Sequence, residues 1–269
     1  MSSVEQNLTY WGAEHDWRDR GDEWSSPWGG TDAQWWGTLL PRVELFLPAA
    51  TILEIAPGFG RWTHYLKARC ERLIVVDIAA RCIQACQRRF AGDSHIAYHV
   101  NDGRSLEMLA DRSIDFAFSF DSLVHAEADV LEAYVRELAR TLAPDGVAFI
   151  HHSNLGAYEP YASWSRRLPR GRDALARLLL MQSAHYRAAS MSGALFRRYA
   201  AQSGLACIGQ ELINWKGRRL TDCLSMCTPA GSRWARPNRV VRNTGFMDEA
   251  ASVARLSRLY APGSFGTTP

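Results

Sequence analysis

Three carboxylates are spaced so that they could hold one ligand. Glu54 stands four residues before Gly58 in Glu54-Ile55-Ala56-Pro57-Gly58-Phe59-Gly60; Asp77 ends the next apolar run, 17 residues after Gly60; Asp102 follows a third run in Asn101-Asp102-Gly103. Carboxylates accept hydrogen bonds, so such a series suits a ligand with an ammonium group, a ribose diol and an exocyclic amine. A phosphate is not catered for. A dinucleotide fingerprint needs a third glycine where Thr63 stands, to seat a pyrophosphate on the helix that follows. Taken singly, each acid reads as a cap or loop residue, and it is the ordered series that points to a ligand.

A second cluster could move a proton. It comprises Asp121, Ser122 and His125 after a fourth apolar run, and His151-His152-Ser153-Asn154 after a fifth. Neighbouring side chains of a strand point to opposite sides, so at most one of the paired histidines faces a substrate. His152, nearer the carboxyl end, is the expected general base, with Asp121 and His125 as its catalytic supports. An alcohol is a far weaker acid than imidazolium, so a divalent ion such as Mg2+, held by Asp121 and His152, would help by acidifying the hydroxyl. The alternatives are a packing or capping role for His125 and a plain strand position for His151.

The elements that must present these residues read as alternating strands and helices. Strands are expected at Thr51–Ala56, Arg72–Asp77, His95–Val100, Ser113–Phe120 and Gly146–His152, and helices at Arg61–Ala68, Ala79–Phe90 and Asp129–Leu142. In the last helix Val130, Leu131, Tyr134, Val135, Leu138 and Leu142 form one apolar stripe, ended by Pro144-Asp145-Gly146. Such alternation implies α/β architecture around a parallel sheet. A helix near Ser192–Ser203 precedes two strands, Leu205–Ile213 and Leu220–Cys227, whose short connection implies a final antiparallel hairpin. Residues 155–190 read as a helical insertion carrying Arg166, Arg167, Arg170, Arg172 and Arg177. The domain organisation expected is therefore an aromatic lid segment (1–50), a central domain (51–228) and a basic C-terminal tail (229–269) with an amphipathic piece near Met247–Tyr260.

These motifs resemble the class I S-adenosylmethionine-dependent methyltransferases. The carrying residues are Glu54 to Gly60, Asp77, Asn101-Asp102-Gly103 and Ser119-Phe120-Asp121-Ser122-Leu123-Val124-His125, and the resemblance covers about residues 50–227. Pro57 departs from the small residue that many relatives carry there. The resemblance implies a Rossmann-like, seven-stranded, mostly parallel sheet with an antiparallel last strand. It also implies S-adenosylmethionine held by Glu54, Ala56, Gly58, Gly60, Trp62, Asp77, Ile78, Asn101, Asp102, Gly103 and Phe120. In that arrangement Asp77 takes the ribose hydroxyls and Asp102 the adenine amine. The Ser119–His125 and His151–Asn154 segments are similar to those of bacterial O-methyltransferases acting on saccharides, so the expected acceptor is a hydroxyl of a sugar or of an oligo- or polysaccharide.

Other transfers in this class are less well served. Phe120-Asp121-Ser122-Leu123 lacks the Asn/Asp-Pro-Pro-aromatic sequence of amino-directed nucleic-acid enzymes, and two lysines, Lys67 and Lys216, cannot build a Lys-Asp-Lys-Glu tetrad. No cysteine lies at the ends of the fourth and fifth strands to attack a base carbon. The alternatives kept open are a natural-product or lipid acceptor, with transfer to oxygen or nitrogen, and a non-catalytic binding module on the same fold.

Composition sets the remaining bounds. The chain has 269 residues, 47% hydrophobic and 22% charged, within the range of folded domains. The six cysteines include no CxxC pair and read as reduced, mostly buried thiols. No apolar run approaches the roughly 20 residues of a membrane span and the N-terminus lacks a signal peptide, so a cytoplasmic location is expected. Residues 1–36 hold six of the ten tryptophans, and these, with Tyr158, Tyr161 and Trp164, suit stacking on sugar C–H faces. Residues 1–160 carry 14 basic and 23 acidic side chains, and residues 161–269 carry 17 and 5. Those halves could meet across a homodimer axis. The expected partner is a saccharide substrate rather than nucleic acid.

Overall fold

The computed structural model describes residues 4–158, 187–215 and 217–260. Among these, eight strands form one sheet: β1 (Ala49–Ile55), β2 (Cys70–Asp77), β3 (Ile96–Val100), β4 (Ile114–Ser119), β5 (Leu142–Ser153), β6 (Leu205–Ile213), β7 (Asp222–Pro229) and β8 (Arg239–Asn243). Their order is β3-β2-β1-β4-β5-β7-β6-β8. All neighbours run parallel except β7, which is antiparallel to both β5 and β6. The expected parallel sheet with a terminal antiparallel hairpin is thus present, with one strand more than the seven expected.

Five α-helices of six residues or more accompany the sheet within the described residues: α1 (Val4–Thr9), α2 (Ala80–Arg89), α3 (Ala128–Thr141), α4 (Gly193–Gln202) and α5 (Phe246–Tyr260). The two-residue period of the strands sorts the cores. Leu53 and Ile55 of β1 and Ala148 and Ile150 of β5 pack with Leu131, Tyr134 and Leu138 of α3 and Phe196 of α4. Ile52, Val147 and Phe149 face the other way, onto Ile83 and Cys86 of α2 and onto Trp28, Trp35 and Leu39 of the N-terminal segment. Each fully buried large apolar side chain contributes about 1.5–3 kcal/mol relative to exposure. This alternation also decides which strand-end side chains reach the site.

The N-terminal segment folds into short helical turns that bring Trp28 and Trp35 into the core, while Trp36 stays on the surface. Residues 239–243, expected within a tail, instead add β8 to the edge of β6, from Gly209↔Arg239 to Ile213↔Asn243. Most β8 side chains are exposed, so Arg239-Val240-Val241-Arg242 carries no alternation to signal a strand. Helix α5 buries Phe246, Ala250 and Ala254. Arg42 ties it to the sheet by reaching Glu211 at 2.8 Å and Glu249 at 2.9 Å.

Of the expected insertion, Leu155–Tyr158 forms a single 3-10 turn. Tyr161, Trp164 and the five arginines at 166, 167, 170, 172 and 177 lie outside the described residues, as does Lys216. The six cysteines are free thiols. No described helix is long and apolar enough to cross a membrane.

Candidate active site

Strand β1 ends in a turn of left-handed residues: Ala56 and Gly58 at φ 58° and Gly60 at 87°. Only glycine takes such a conformation at little cost. At Gly58 the need is also spatial, because a Cβ there would lie 2.6 Å from the Trp17 ring. The Gly58 amide and the Ala79 amide both donate to Asp77, at 3.3 and 2.8 Å. Burial pushes the Asp77 carboxyl up to about 6 against those donors. Glu54 lies buried beneath the turn and accepts from the Thr63 hydroxyl at 2.5 Å. Its Oε1 has no partner among the described residues, and burial pushes this carboxyl up to about 8.

A cavity of about 390 Å³ runs along the carboxyl ends of these strands, where open α/β sheets bind ligands. Towards β2 and β3 its wall is Asp77, Ile78 and Gly103; in the middle it is Ala56, Pro57, Gly58 and Trp62; towards β4 and β5 it is Phe120, Asp121, His125, Arg61 and Arg187. The N-terminal segment covers it with Val4, Asn7, Tyr10, Trp11, Trp17 and Trp24. Trp17 stacks on Phe59 at 4.5 Å and donates to the Trp11 carbonyl at 3.2 Å, while the Asn7 amide donates to the His125 carbonyl at 3.1 Å. Arg89 of α2 bonds the Phe59 carbonyl at 3.1 Å and pairs with Asp22 at 3.2 Å, which holds this cover against the turn.

Of the residues expected to hold a cofactor, Ala56, Gly58, Trp62, Asp77, Ile78, Gly103 and Phe120 line this cavity. Glu54, Gly60, Asn101 and Asp102 do not. Glu54 and Gly60 shape the turn from beneath. Asn101 donates to the Ser105 carbonyl and to the Tyr134 hydroxyl. Asp102, expected to take an adenine amine, does not border the cavity here; its Oδ1 accepts from the amides of Ser105 and Arg104 at 2.6 and 2.8 Å. Those bonds to its own loop hold its carboxyl below the ordinary value.

The assignment of His152 as general base is also corrected. It lies on the opposite face of β5 from the cavity, stacked on Phe196 at 4.7 Å, with Nδ1 at 2.8 Å from the Ser153 carbonyl and Nε2 at 2.8 Å from the Ser225 hydroxyl. Burial pushes its pKa down to about 4, so it is a neutral core residue. His152 and Asp121 therefore cannot share a metal ion. Among the described residues no group of three or more His, Cys, Asp or Glu side chains is arranged to hold one. His125 does reach the cavity wall, 5.1 Å from the Trp11 ring.

His151 is the histidine on the cavity's side of the sheet, packed on Phe120 and Trp215 at 4.6 and 5.5 Å. Its Nδ1 accepts from the Asp121 amide at 3.1 Å and its Nε2 lies 3.3 Å from Asp222. Asp121 pairs with Arg61 at 3.1 Å and stands 3.6 Å from Arg187, which in turn pairs with Asp222 at 2.9 Å. Burial alone would raise the Asp222 carboxyl; Arg187 and His151 outweigh it and hold it at about 2. Sequence reasoning missed Arg61, Arg187, Trp215 and Asp222. Arg61 follows Gly60 directly and was open to notice, whereas Trp215 and Asp222 sit on a hairpin read only as architecture.

The cavity fits an adenosyl cofactor on two structural grounds: a buried Asp77 carboxylate in its wall, and a glycine turn with the unpartnered Glu54 oxygen beneath it. Comparisons with known proteins agree. Residues 52–146 match the family described as "Methyltransferase domain". Phosphoethanolamine N-methyltransferase 1 of Triticum aestivum is 29% identical over 119 residues, 42% of this chain and 24% of that protein. The chain thus spans about a quarter of the length of the curated relative it matches. Among solved structures, the DhpI–SAH complex aligns with a TM-score of 0.53 at 21% identity, covering 84% of this chain and 96% of that one. The N-methyltransferase NodS from Bradyrhizobium japonicum aligns at 0.50 and 15% identity, covering 73% and 96%. Residues 52–146 are thus similar to a methyltransferase domain, on a fold that the two solved structures share.

Proposed function

We propose that the chain transfers a methyl group from S-adenosylmethionine to a hydroxyl of a small saccharide. The observation that carries this reading is the covered cavity, which joins a carboxylate end at Asp77 to a polar, aromatic-walled end at Asp121 and His125. When bound, the cofactor supplies a methyl group on a sulfonium. Asp77 would accept from ribose hydroxyls, and Gly58 lets the Trp17 ring close onto the turn. Trp11, Trp17 and Trp24 exclude water and offer faces on which a sugar ring stacks. Asp121 would accept from sugar hydroxyls. His125, in place of His152, would take the acceptor proton as the new bond forms.

Transfer to an amine is the second reading. It is supported by the wheat relative, whose name is that of an N-methyltransferase, and requires no base as strong as a hydroxyl does.

Labelled S-adenosylmethionine incubated with the chain and separate pools of monosaccharides, sugar acids, primary amines and phenols tests both. Label on a sugar oxygen supports the first reading. Label only on amines replaces it with the second, and label only on phenols overturns both.

A further inference from the structure

We propose that the β4–β5 end of the cavity is an oxyanion subsite built from Arg61 and Arg187, so that the acceptor carries a carboxylate or a phosphate. This deepens the methyltransferase reading and rests on it. Both arginines line the cavity, and their side chains are only 8% and 9% exposed. Between them stands a single carboxylate in the wall, Asp121, at 3.1 Å from Arg61 and 3.6 Å from Arg187. The second partner of Arg187, Asp222, has no exposed side-chain surface and lies behind the wall. Arg187 spends Nε and Nη2 on Asp222, at 3.1 and 2.9 Å, so the charge of this cluster is balanced and the wall offers an oxyanion only the donors that the two carboxylates leave over.

Hydrogen bonding shows one such donor. The Nη1 of Arg61 is shut off from solvent and has no partner among the described residues, and buried guanidinium nitrogens require acceptors. Arg61 also borders a smaller polar pocket with Asp22 and Asp32; there Arg89 bonds one Asp22 oxygen while the other, Oδ1, is likewise buried without a partner among the described residues, and Asp32 is engaged by the Tyr65 hydroxyl. Both forks lie over aromatic rings, Arg61 over Trp62 at 4.5 Å and Arg187 over Trp215 at 5.0 Å. A guanidinium plane fixed in this way is pre-organised to donate to a carboxylate or phosphate oxygen. Arg187 and Trp215 lie beyond β4 from Asp77 in the strand order, on the acceptor's side.

Calorimetry on the full chain saturated with S-adenosylhomocysteine tests this, with inorganic phosphate, glucuronate and neutral glucose as probes. At least one of the two anions should bind about tenfold or more tightly than glucose. Phosphate alone, or glucuronate alone, would identify which oxyanion the subsite takes. Arg187→Gln and Arg61→Gln should each weaken that binding by about tenfold or more while S-adenosylhomocysteine still binds. Arg187→Lys and Arg61→Lys, which keep the charge opposite Asp222 and Asp121, should lose most of it too. Should none of these variants fold, the wild-type comparison alone decides. Anions that bind no better than glucose overturn the subsite, as do anions that bind equally well to the variants. Anions displaced by S-adenosylhomocysteine overturn it as well, since the guanidiniums would then serve the cofactor's own carboxylate. If the wild-type chain fails to bind S-adenosylhomocysteine, the methyltransferase reading falls and the subsite with it.

Discussion

The backbone amide of Asp121 donates to Nδ1 of His151 at 3.1 Å, and this bond sustains a left-handed backbone at Asp121, φ 63°. A non-glycine residue in that region carries strain of about 1–3 kcal/mol, tolerated only where the surroundings over-determine it. Because Nδ1 accepts, the ring proton sits on Nε2, towards Asp222. His151 thereby holds Asp121 in the cavity wall.

Replacing each histidine of the pair separates their roles. His151→Ala strands the Asp121 amide and should cost about 2–4 kcal/mol in denaturant unfolding, with most methyl transfer lost. His152→Ala removes the Phe196 stack and the Ser225 bond on the other face; it should cost about 2–3 kcal/mol yet retain most turnover per folded molecule. Turnover surviving in His151→Ala and vanishing in His152→Ala would reverse the assignment.

The pH dependence of stability should register His152. Its pKa falls from an ordinary 6.5 to about 4 on folding, so the folded state favours the neutral ring. This contribution is fully present above pH 6.5 and is lost as pH falls towards 4, amounting to about 3 kcal/mol. Denaturant unfolding between pH 8 and 4 should show a steeper acid loss in the wild type than in His152→Gln. Parallel curves would contradict it.

Glu54 acts with the opposite sign. Its carboxyl rises from 4.5 to about 8 on folding, so its contribution is full below pH 4.5 and is lost as pH climbs towards 8. Without cofactor, Glu54→Gln should match the wild type near pH 5 and exceed it in stability at pH 8. Thermal unfolding at the two pH values measures this, and a variant less stable at pH 8 would refute it.

Asp77 and Asp102 should differ sharply. Asp77→Asn removes a buried carboxylate from the cavity wall and should weaken S-adenosylhomocysteine binding by roughly 10- to 100-fold, equivalent to about 1.5–3 kcal/mol. Asp102→Asn, whose carboxylate faces Ser105 and Arg104, should change it by less than about threefold. Equal losses in the two variants would show that Asp102 turns to the cofactor.

The parallel sheet was legible because buried strands and the Val130–Leu138 stripe repeat at fixed periods, and the glycine turn because Gly58 and Gly60 have few other uses so near Glu54. Strand β8 was not, since an exposed edge strand has no face to bury and leaves no alternation. The His151–His152 choice turned on register: Val147 and Phe149 face one core and Ala148 and Ile150 the other, so the histidine facing the site is fixed by parity, not by nearness to the strand end. Nor can spacing show that the Ser105 and Arg104 amides bond one oxygen of Asp102. Arg187 lies in the stretch read as a helical insertion, and its partner Asp222 is 35 residues away, a pairing only the folded chain brings about.

The most direct test of the account is calorimetry of the wild-type chain with S-adenosylhomocysteine, beside nicotinamide and flavin nucleotides. Binding of one S-adenosylhomocysteine per chain, weakened by Asp77→Asn and indifferent to both nucleotides, is the predicted result. A folded chain that gives no heat with S-adenosylhomocysteine but binds either nucleotide would contradict it.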